Sequence, residues 1–262
     1  MRTKHYYIED NVKLGDNVRI GYGAYIEDGS IIGNDVTIGP HAIVCSGSII
    51  KDHTLVEALC VIGHPAKVET QKWDFSATSP KVRDLMVRDS MTIIGEGSIV
   101  RSGSVIYKHV VAGKRLRTGH NVLIREHTTL GDKVIVGTQA TLDGYIKVGD
   151  KSMIQGQCYL AQSVRIGSGV FIAPCCLFFD NERMVLGQGL DGATVEDFVR
   201  IGGGTKVLPR VNIGKYSMVG SDSLVTRDIP EKALAFGVPA KVQRTLNDKE
   251  IELYVKSITE WK

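Results

Sequence analysis

The sequence of 262 residues predicts an all-β solenoid, a parallel β-helix in which each six-residue unit supplies one short strand and one corner. Three observations predict this fold. An apolar anchor recurs every six residues, a small or branched residue follows it four positions later, and glycine often comes directly after it. From Ile94 to Phe178, thirteen of fifteen anchors are aliphatic or aromatic, and Ala112 and Thr118 are the small or polar exceptions. Neither the 3.6-residue period of an α-helix nor the two-residue period of a strand keeps such a register.

The same pattern occupies the rest of the predicted β-helix, from Ile8 to Ile62 and again from Val195 to Val225. Glycine after an anchor suits a corner that needs a positive φ or a close approach of two backbones. If three units complete one coil, residues three units apart in the sequence stack on each other. The spacing alone leaves the number of sides and the hand of the coil open, and the usual crossover rule favours a right-handed coil.

Two breaks in the register predict external loops over about residues 64–93 and 180–194. The anchors Ile62 and Ile94 are 32 residues apart, and Phe178 and Val195 are 17 apart, so neither interval is a multiple of six. Long loops on a rigid scaffold are favoured places for binding groups, although solenoids also tolerate insertions that bind nothing. Trp73 in the first loop could stack on a nucleobase or pack against a neighbouring subunit.

The chain divides into a predicted β-helix domain, residues 1–240, and a predicted helical cap, residues 241–262. The cap segment has apolar residues at helical spacing, with Asn247 or Asp248 as its N-cap. Such a helix would cover the open end of the solenoid, which otherwise exposes unpaired backbone groups.

The composition excludes several classes of partner. A net charge of +3 gives no basic stripe for nucleic acid. No apolar run approaches the roughly 20 residues of a membrane span, and the N-terminus has no apolar signal region. The five cysteines form no CxxC pair and no zinc-ligand spacing. We therefore expect a reduced, cytoplasmic protein without a resident metal.

The repeat (Leu/Ile/Val)-Gly-x-x-(Ser/Thr/Ala/Val)-x resembles the left-handed β-helix, hexapeptide-repeat acyltransferases, and the resemblance covers most of the chain. It implies a left-handed coil and a homotrimer whose active sites lie between neighbouring subunits. The stretch FIAPCCLFFDNERM resembles N-acetyltransferases that act on nucleotide-linked amino sugars, in particular dTDP-3-amino-3,6-dideoxyhexoses. The resemblance thus implies transfer of an acetyl group from acetyl-CoA to such an amine, for surface glycan synthesis.

Two alternatives to this function remain open. Within the same class, the acceptor is a hydroxyl group, or the donor carries a longer acyl chain. In a different class, a γ-type carbonic anhydrase shares the fold and binds zinc between subunits through three histidines. His109, His120 and His127 would be its ligands here, but the residues around them do not resemble that family.

Register selects the candidate catalytic residues. Successive members of the set His109, His127, Tyr145, Ser163 and Asn181 are separated by three units, so they form one predicted column that leads into the second loop. Outward positions are polar by default, so the column could also be coincidental. His120 lies on the adjacent face.

Three residues are candidates for the general base of the reaction. The segment TLGDKVIVGTQATLDGYIKVGD resembles UDP-sugar acyltransferases of lipid A synthesis. The position that holds the catalytic histidine in those enzymes is occupied by Glu126 in this sequence, and His127 follows it directly. Histidine has a pKa suited to neutral pH, whereas a glutamate needs burial to raise its own. We rank His127 first and His120 second; a sugar amine could also react without a protein base, through positioning alone.

The resemblances also assign binding residues. Asp180 and Asn181 would contact the amino sugar, although their order is reversed from the usual Asn-Asp, and Tyr145 and Trp73 are further candidates for binding the substrate. The GVPAK segment is similar to the Gly-x-Pro-Ala-Lys/Arg ending of many acetyltransferases, which places Ala240 and Lys241 beside the CoA nucleotide. Two stacked pairs of small residues would let the pantetheine arm lie along the backbone: Gly202 with Gly220, and Gly203 with Ser221.

Overall fold

The computed structural model describes residues 5–65, 91–184 and 191–260, which form a left-handed parallel β-helix of about eleven turns. Its cross-section has three sides, each a parallel sheet, here called faces A, B and C. Face A contains β1 (Tyr7–Ile8), β4 (Tyr25–Ile26), β7 (Ile43–Val44), β10 (Val61–His64), β13 (Val105–Tyr107), β16 (Leu123–Ile124), β19 (Thr141–Leu142), β22 (Tyr159–Leu160), β25 (Leu177–Phe178), β28 (Lys206–Val207) and β31 (Leu224–Val225).

Face B contains β2 (Lys13–Leu14), β5 (Ile31–Ile32), β8 (Ser48–Ile50), β11 (Thr92–Ile94), β14 (Val111–Ala112), β17 (Thr129–Leu130), β20 (Lys147–Val148), β23 (Arg165–Ile166), β26 (Thr194–Val195) and β29 (Asn212–Ile213). Face C contains β3 (Arg19–Ile20), β6 (Thr37–Ile38), β9 (Leu55–Val56), β12 (Ile99–Val100), β15 (Arg117–Thr118), β18 (Ile135–Val136), β21 (Met153–Ile154), β24 (Phe171–Ile172), β27 (Arg200–Ile201), β30 (Met218–Val219), β32 (Ala233–Gly237) and the antiparallel β33 (Ala240–Thr245).

Strands separated by one full coil pair in register, as predicted, with Leu142 above Ile124 and Leu160 above Leu142. The two register breaks do not disturb this stacking. Ile62 pairs with Ile106 across the first break, and Phe178 pairs with Val207 across the second. The chain therefore resumes the β-helix in the same register after each of the two intervening segments.

From Ile26 onward the apolar anchors form one continuous core inside the three faces, whereas the anchor Leu14 near the N-terminal end is exposed. Ile106, Ile124, Leu142 and Leu160 are completely buried, because the inward side of every strand faces the other two sheets. The polar exception, Thr118, is also buried, and its Oγ1 accepts a hydrogen bond from the Arg101 backbone N–H at 2.8 Å. A polar anchor is tolerated here because its hydroxyl has a partner.

The corners explain the glycine that follows so many anchors. At Gly131, which does not have a positive φ, an added Cβ would lie only 2.8 Å from the Asp150 backbone nitrogen in the next coil. Close approach of two coils, rather than a positive φ, therefore requires this glycine. The positive φ occurs two residues later, at Lys133, and equivalent corners place histidine, tyrosine or asparagine in the same conformation.

The C-terminal segment folds back onto face C. Strand β33 pairs antiparallel with β32, and helix α1 (Asp248–Thr259) follows, so helix occupies only part of residues 241–262. Asn247 is the N-cap and forms a capping box with Glu250. Ile251, Tyr254 and Ile258 are buried against the side of the last coils rather than over their open end. None of the helices in the described ranges is long and apolar enough to cross a membrane.

Leu142→Ala tests the dependence of the fold on its anchors. Removing a completely buried leucine leaves a cavity between faces, so we expect the free energy of unfolding to fall by about 2–5 kcal/mol. Denaturant unfolding followed by circular dichroism measures it. Thr141→Ala, on the outward side of the same strand, is the matched control and should cost less than about 1 kcal/mol. Equal losses for the two variants would contradict the inward anchor register.

Candidate functional site

Both loops leave the solenoid at the corner between faces A and B, here called the AB corner. The first connects β10 to β11 and the second connects β25 to β26. His109, His127, Tyr145 and Ser163 all occupy this corner with positive φ values, in the coils between the two loops. The predicted column is thus brought together and bracketed by both insertions.

Aromatic rings stack along this column. The rings of His109 and His127 are 4.6 Å apart and nearly parallel, at 9°, and the ring of Tyr145 lies 4.7 Å from that of His127. Burial, together with the neighbouring charges of His127 and Lys108, lowers the pKa of His109. The environment of His109 therefore favours its neutral imidazole, which can accept a proton.

A second set of side chains runs beside the stack, on the face A side of the corner. Arg125 donates to both oxygens of Glu126, at 2.8 and 3.2 Å, and to Asp143 Oδ1 at 2.8 Å. Tyr159 donates to Asp143 Oδ2 at 2.8 Å, and burial together with this bond raises the pKa of Tyr159 to about 12. Both oxygens of Glu126 are thus already engaged, which makes His127 the better placed of the two base candidates at this corner.

The second loop begins at Asp180 and Asn181, at the upper end of the column. The pairing of Arg165 with Thr194 places Gly192 above Ser163, so the prediction that Asn181 continues the column is wrong. The Asp180 carboxylate accepts from the Gln162 backbone N–H at 3.3 Å, and the Asp191 N–H donates to the Asp180 carbonyl at 3.0 Å. Asn181 Oδ1 accepts from the Arg183 N–H at 3.2 Å. These bonds fix both side chains at the neck of the loop, whereas Trp73 lies outside the described residues.

His120 lies elsewhere, at the corner between faces C and A, here called the CA corner. Its backbone N–H donates to Thr138 Oγ1 at 3.3 Å. Nearby, the pKa of Glu57 is lowered: its burial opposes this, but bonds from Ser102 and the charges of Arg101 and His120 outweigh it. His120 therefore does not converge with the AB stack within one chain. Among the residues that the structure describes, no group of three or more His, Cys, Asp and Glu side chains could hold a metal ion.

A groove of about 620 Å³ runs between face C and helix α1. Four predicted cofactor-binding residues line it together: Gly202, Gly203, Gly220 and Ser221. Ala240 and Lys241 do not line it. They lie in the β32–β33 hairpin, where Lys241 pairs with Phe236 next to the end of the groove.

Glycine occurs in the groove for different reasons at different positions. An added Cβ at Gly202 would lie 2.8 Å from the Gly220 carbonyl carbon, and one at Gly220 would lie 2.8 Å from Phe236 Cβ. Stacking of the coils therefore requires both glycines regardless of any ligand. At Gly203 the nearest atoms are Pro174 O at 3.2 Å and Ala173 Cβ at 3.9 Å, so this position opens more freely into the groove.

Sequence reasoning missed two features of these sites. Arg200 forms one wall of the groove: it donates to Gly169 O at 2.8 Å and to Tyr254 O at 3.1 Å, and burial lowers its pKa to about 10. An arginine at an outward strand position gives no hint that a helix will cover it. The second missed feature is the set of hydrogen bonds that Arg125 forms. Asp143 occupies the equivalent position of the next coil, so the sequence could have predicted the bond between these two residues.

Comparison with known proteins agrees with this architecture. Residues 11–46 match the family model described as bacterial transferase hexapeptide (six repeats). A galactoside O-acetyltransferase of Lactococcus lactis is 48% identical over 60 residues, covering 23% of this chain and 29% of the relative. A serine acetyltransferase of Haemophilus influenzae is 44% identical over 48 residues, covering 18% of each chain. The chain therefore aligns with less than a third of either relative's length.

Solved structures resemble nearly the whole chain. An Arabidopsis UDP-N-acetylglucosamine acyltransferase has a TM-score of 0.56 at 18% identity, covering 97% of this chain and 76% of that one. The corresponding acyltransferase of Bacteroides fragilis has a TM-score of 0.56 at 17% identity, covering 100% and 79%. At these identities the likeness shows the shared fold.

Proposed function

We propose that this hexapeptide-repeat protein, whose relatives are acetyltransferases, transfers an acetyl group from acetyl-CoA to the amino group of a nucleotide-linked amino sugar. The sugar implied by the sequence resemblance is a dTDP-3-amino-3,6-dideoxyhexose destined for a surface glycan. The observation that carries the proposal is the groove beside helix α1, which collects four small residues predicted for CoA.

The groove suits acetyl-CoA in size and lining. Its volume of about 620 Å³ falls within the range usual for small-molecule sites. Phe171, Met218 and Leu253 provide apolar walls for the pantetheine arm. Lys241 is exposed on the hairpin at the end of the groove, where its ammonium group can pair with a phosphate of the nucleotide.

The AB corner suits the acceptor sugar. Tyr145 offers an exposed ring face to the sugar or its base, and Asp180 and Asn181 offer hydrogen-bonding groups at the loop neck. In the transfer, the sugar nitrogen attacks the thioester carbonyl; a C–N bond forms and the C–S bond breaks. His127 accepts the proton that the nitrogen loses, and the released thiolate takes up a proton from solvent.

A homotrimer brings these two regions together. Within one chain the groove lies on face C and His127 lies at the AB corner, on a different side of the coil. We therefore place the sugar site of one subunit against the groove of its neighbour. Half-buried apolar residues on the outward side of face C, including Leu55, Ile99 and Ile135, suit such a contact.

Transfer to a hydroxyl group is the second candidate function. It is favoured by the name of the Lactococcus relative, a galactoside O-acetyltransferase. A hydroxyl acceptor depends more on a protein base than an amine does, because it is protonated throughout the physiological pH range.

Release of free CoA thiol tests the proposed reaction. We expect rapid release with acetyl-CoA and a dTDP-linked amino sugar, and little release with the matching hydroxyl sugar. His127→Asn and Asn181→Ala should each lower turnover at least about tenfold, as expected for lost general-base or orienting groups. Asparagine tolerates the positive φ of 57° at position 127.

The matched control for this test is His53→Asn. His53 is also a histidine at positive φ, but it lies at the corner between faces B and C, where it pairs with Asp35. Its substitution should leave turnover unchanged. Release with the hydroxyl sugar alone would establish the second candidate instead, and unchanged turnover in His127→Asn would remove that residue as the base.

Mixed trimers test whether the site is shared between subunits. Ser221→Trp should fill the groove, and His127→Asn should remove the base, so each variant alone is inactive. If every site takes His127 from one chain and the groove from its neighbour, refolding equal amounts together restores about a quarter of wild-type activity. Complete inactivity of the mixture would contradict a shared site.

A further inference from the structure

The bonds around Arg125 form a clamp that spans four consecutive coils of face A. The Arg125 guanidinium lies 5.9 Å from the Tyr107 ring below it, binds Asp143 above it, and through Asp143 reaches Tyr159. Within its own coil it binds both oxygens of Glu126. The guanidinium therefore fixes two carboxylates in one geometry, as a planar donor fork does best.

The clamp is partly shielded from water. Glu126 is 9% exposed and Arg125 is half-buried, so their charges are screened less than those of a surface ion pair. Glu126 directly precedes His127, and its charge also acts on His109. The two carboxylates and the imidazole stack therefore share one small, weakly screened region.

The other charged groups of this region come from each element packed against it. Lys108, 4% exposed, lies in the coil below Glu126 and acts on His109. Arg165 comes from face B and donates to the Tyr145 carbonyl at 2.6 Å. Asp180 lies at the neck of the second loop, close enough to act on Tyr159. Cations and carboxylates are thus balanced, so the loss of one partner changes the charge that the stack experiences.

We propose that Arg125 is a positioning residue for the acetyl transfer: by clamping Glu126 and Asp143 it sets the electrostatic environment in which His127 accepts a proton. This inference rests on the proposed function for its catalytic consequence only. Glu126 then acts as a fixed charge rather than as a base, and Asp143 holds the Tyr159 hydroxyl beside the stack.

The proposal predicts opposite shifts for two substitutions. Arg125→Gln removes a cation and leaves two carboxylates, which favours the imidazolium form, so the pKa of His109 should rise. Glu126→Gln removes an anion that raises the pKa of His109, so this pKa should fall. Shifts on the order of half a pH unit are expected for weakly screened charges at this separation. Arg125→Lys keeps the cation and should restore most of the wild-type titration while losing the bidentate bond.

The experiment is a proton NMR titration of the histidine ring signals, with the acid limb of kcat/KM against pH recorded for the same proteins. The midpoint of that limb should rise in Arg125→Gln and fall in Glu126→Gln. Arg101→Gln is the matched control, because Arg101 forms a similar ion pair with Glu57 at 2.8 Å, but at the CA corner. It should leave the signals of His109 and His127 unchanged.

The possible outcomes distinguish the proposed role of Arg125 from the proposed acetyl transfer. Unchanged histidine titrations in a folded Arg125→Gln protein would overturn the clamp, as would equal shifts in Arg101→Gln. If Arg125→Gln does not fold, Glu126→Gln alone tests the proposal. An upward shift of the histidine titration in that variant, or no shift, overturns it. Opposite histidine shifts in a protein that acetylates none of the acceptors would support the clamp and refute the proposed function.

Discussion

Vertical stacking of inward anchors is the constraint on which the rest of this structure depends. Because each anchor lies directly above the equivalent anchor of the preceding coil, the outward residues of the same coil must stack as well. The histidine-tyrosine stack at the AB corner and the line of small residues along the groove are both consequences of that register. The candidate site residues therefore lie on stacked coils, which hold neighbouring members within one coil spacing of each other.

The insertions use the same constraint in the opposite way. A segment can leave at a corner and return in register without breaking any stacked pair, as Ile62 with Ile106 and Phe178 with Val207 show. Both insertions interrupt the AB corner, one below and one above the coils that carry His109 and His127. Binding residues in proteins are often carried by loops that a rigid scaffold positions, so the column between the two insertions is a suitable place for a site.

The six-residue repeat predicted the solenoid and both register breaks. With the three sides per coil that the family resemblance implies, it also predicted the alignment of His109, His127 and Tyr145, because the register then fixes which residues are vertical neighbours. It could not predict the return of β33 and α1 along face C, since an antiparallel return has no periodic signature. Arg200 was missed for that reason, and Lys241 was expected beside the CoA nucleotide without its place on a hairpin being foreseen. The bidentate bond from Arg125 to Glu126 depends on rotamers that spacing does not fix. Handedness came only from family resemblance.

The central claim is that the groove between face C and α1 holds acetyl-CoA, and calorimetric titration tests it most directly. We predict saturable binding at one site per chain, abolished by Ser221→Trp within the groove. Lys114→Trp, at the equivalent corner position between faces B and C, should bind like the wild type, since it is exposed and remote from α1. Absence of binding to the wild type, or undiminished binding to Ser221→Trp, would contradict the account.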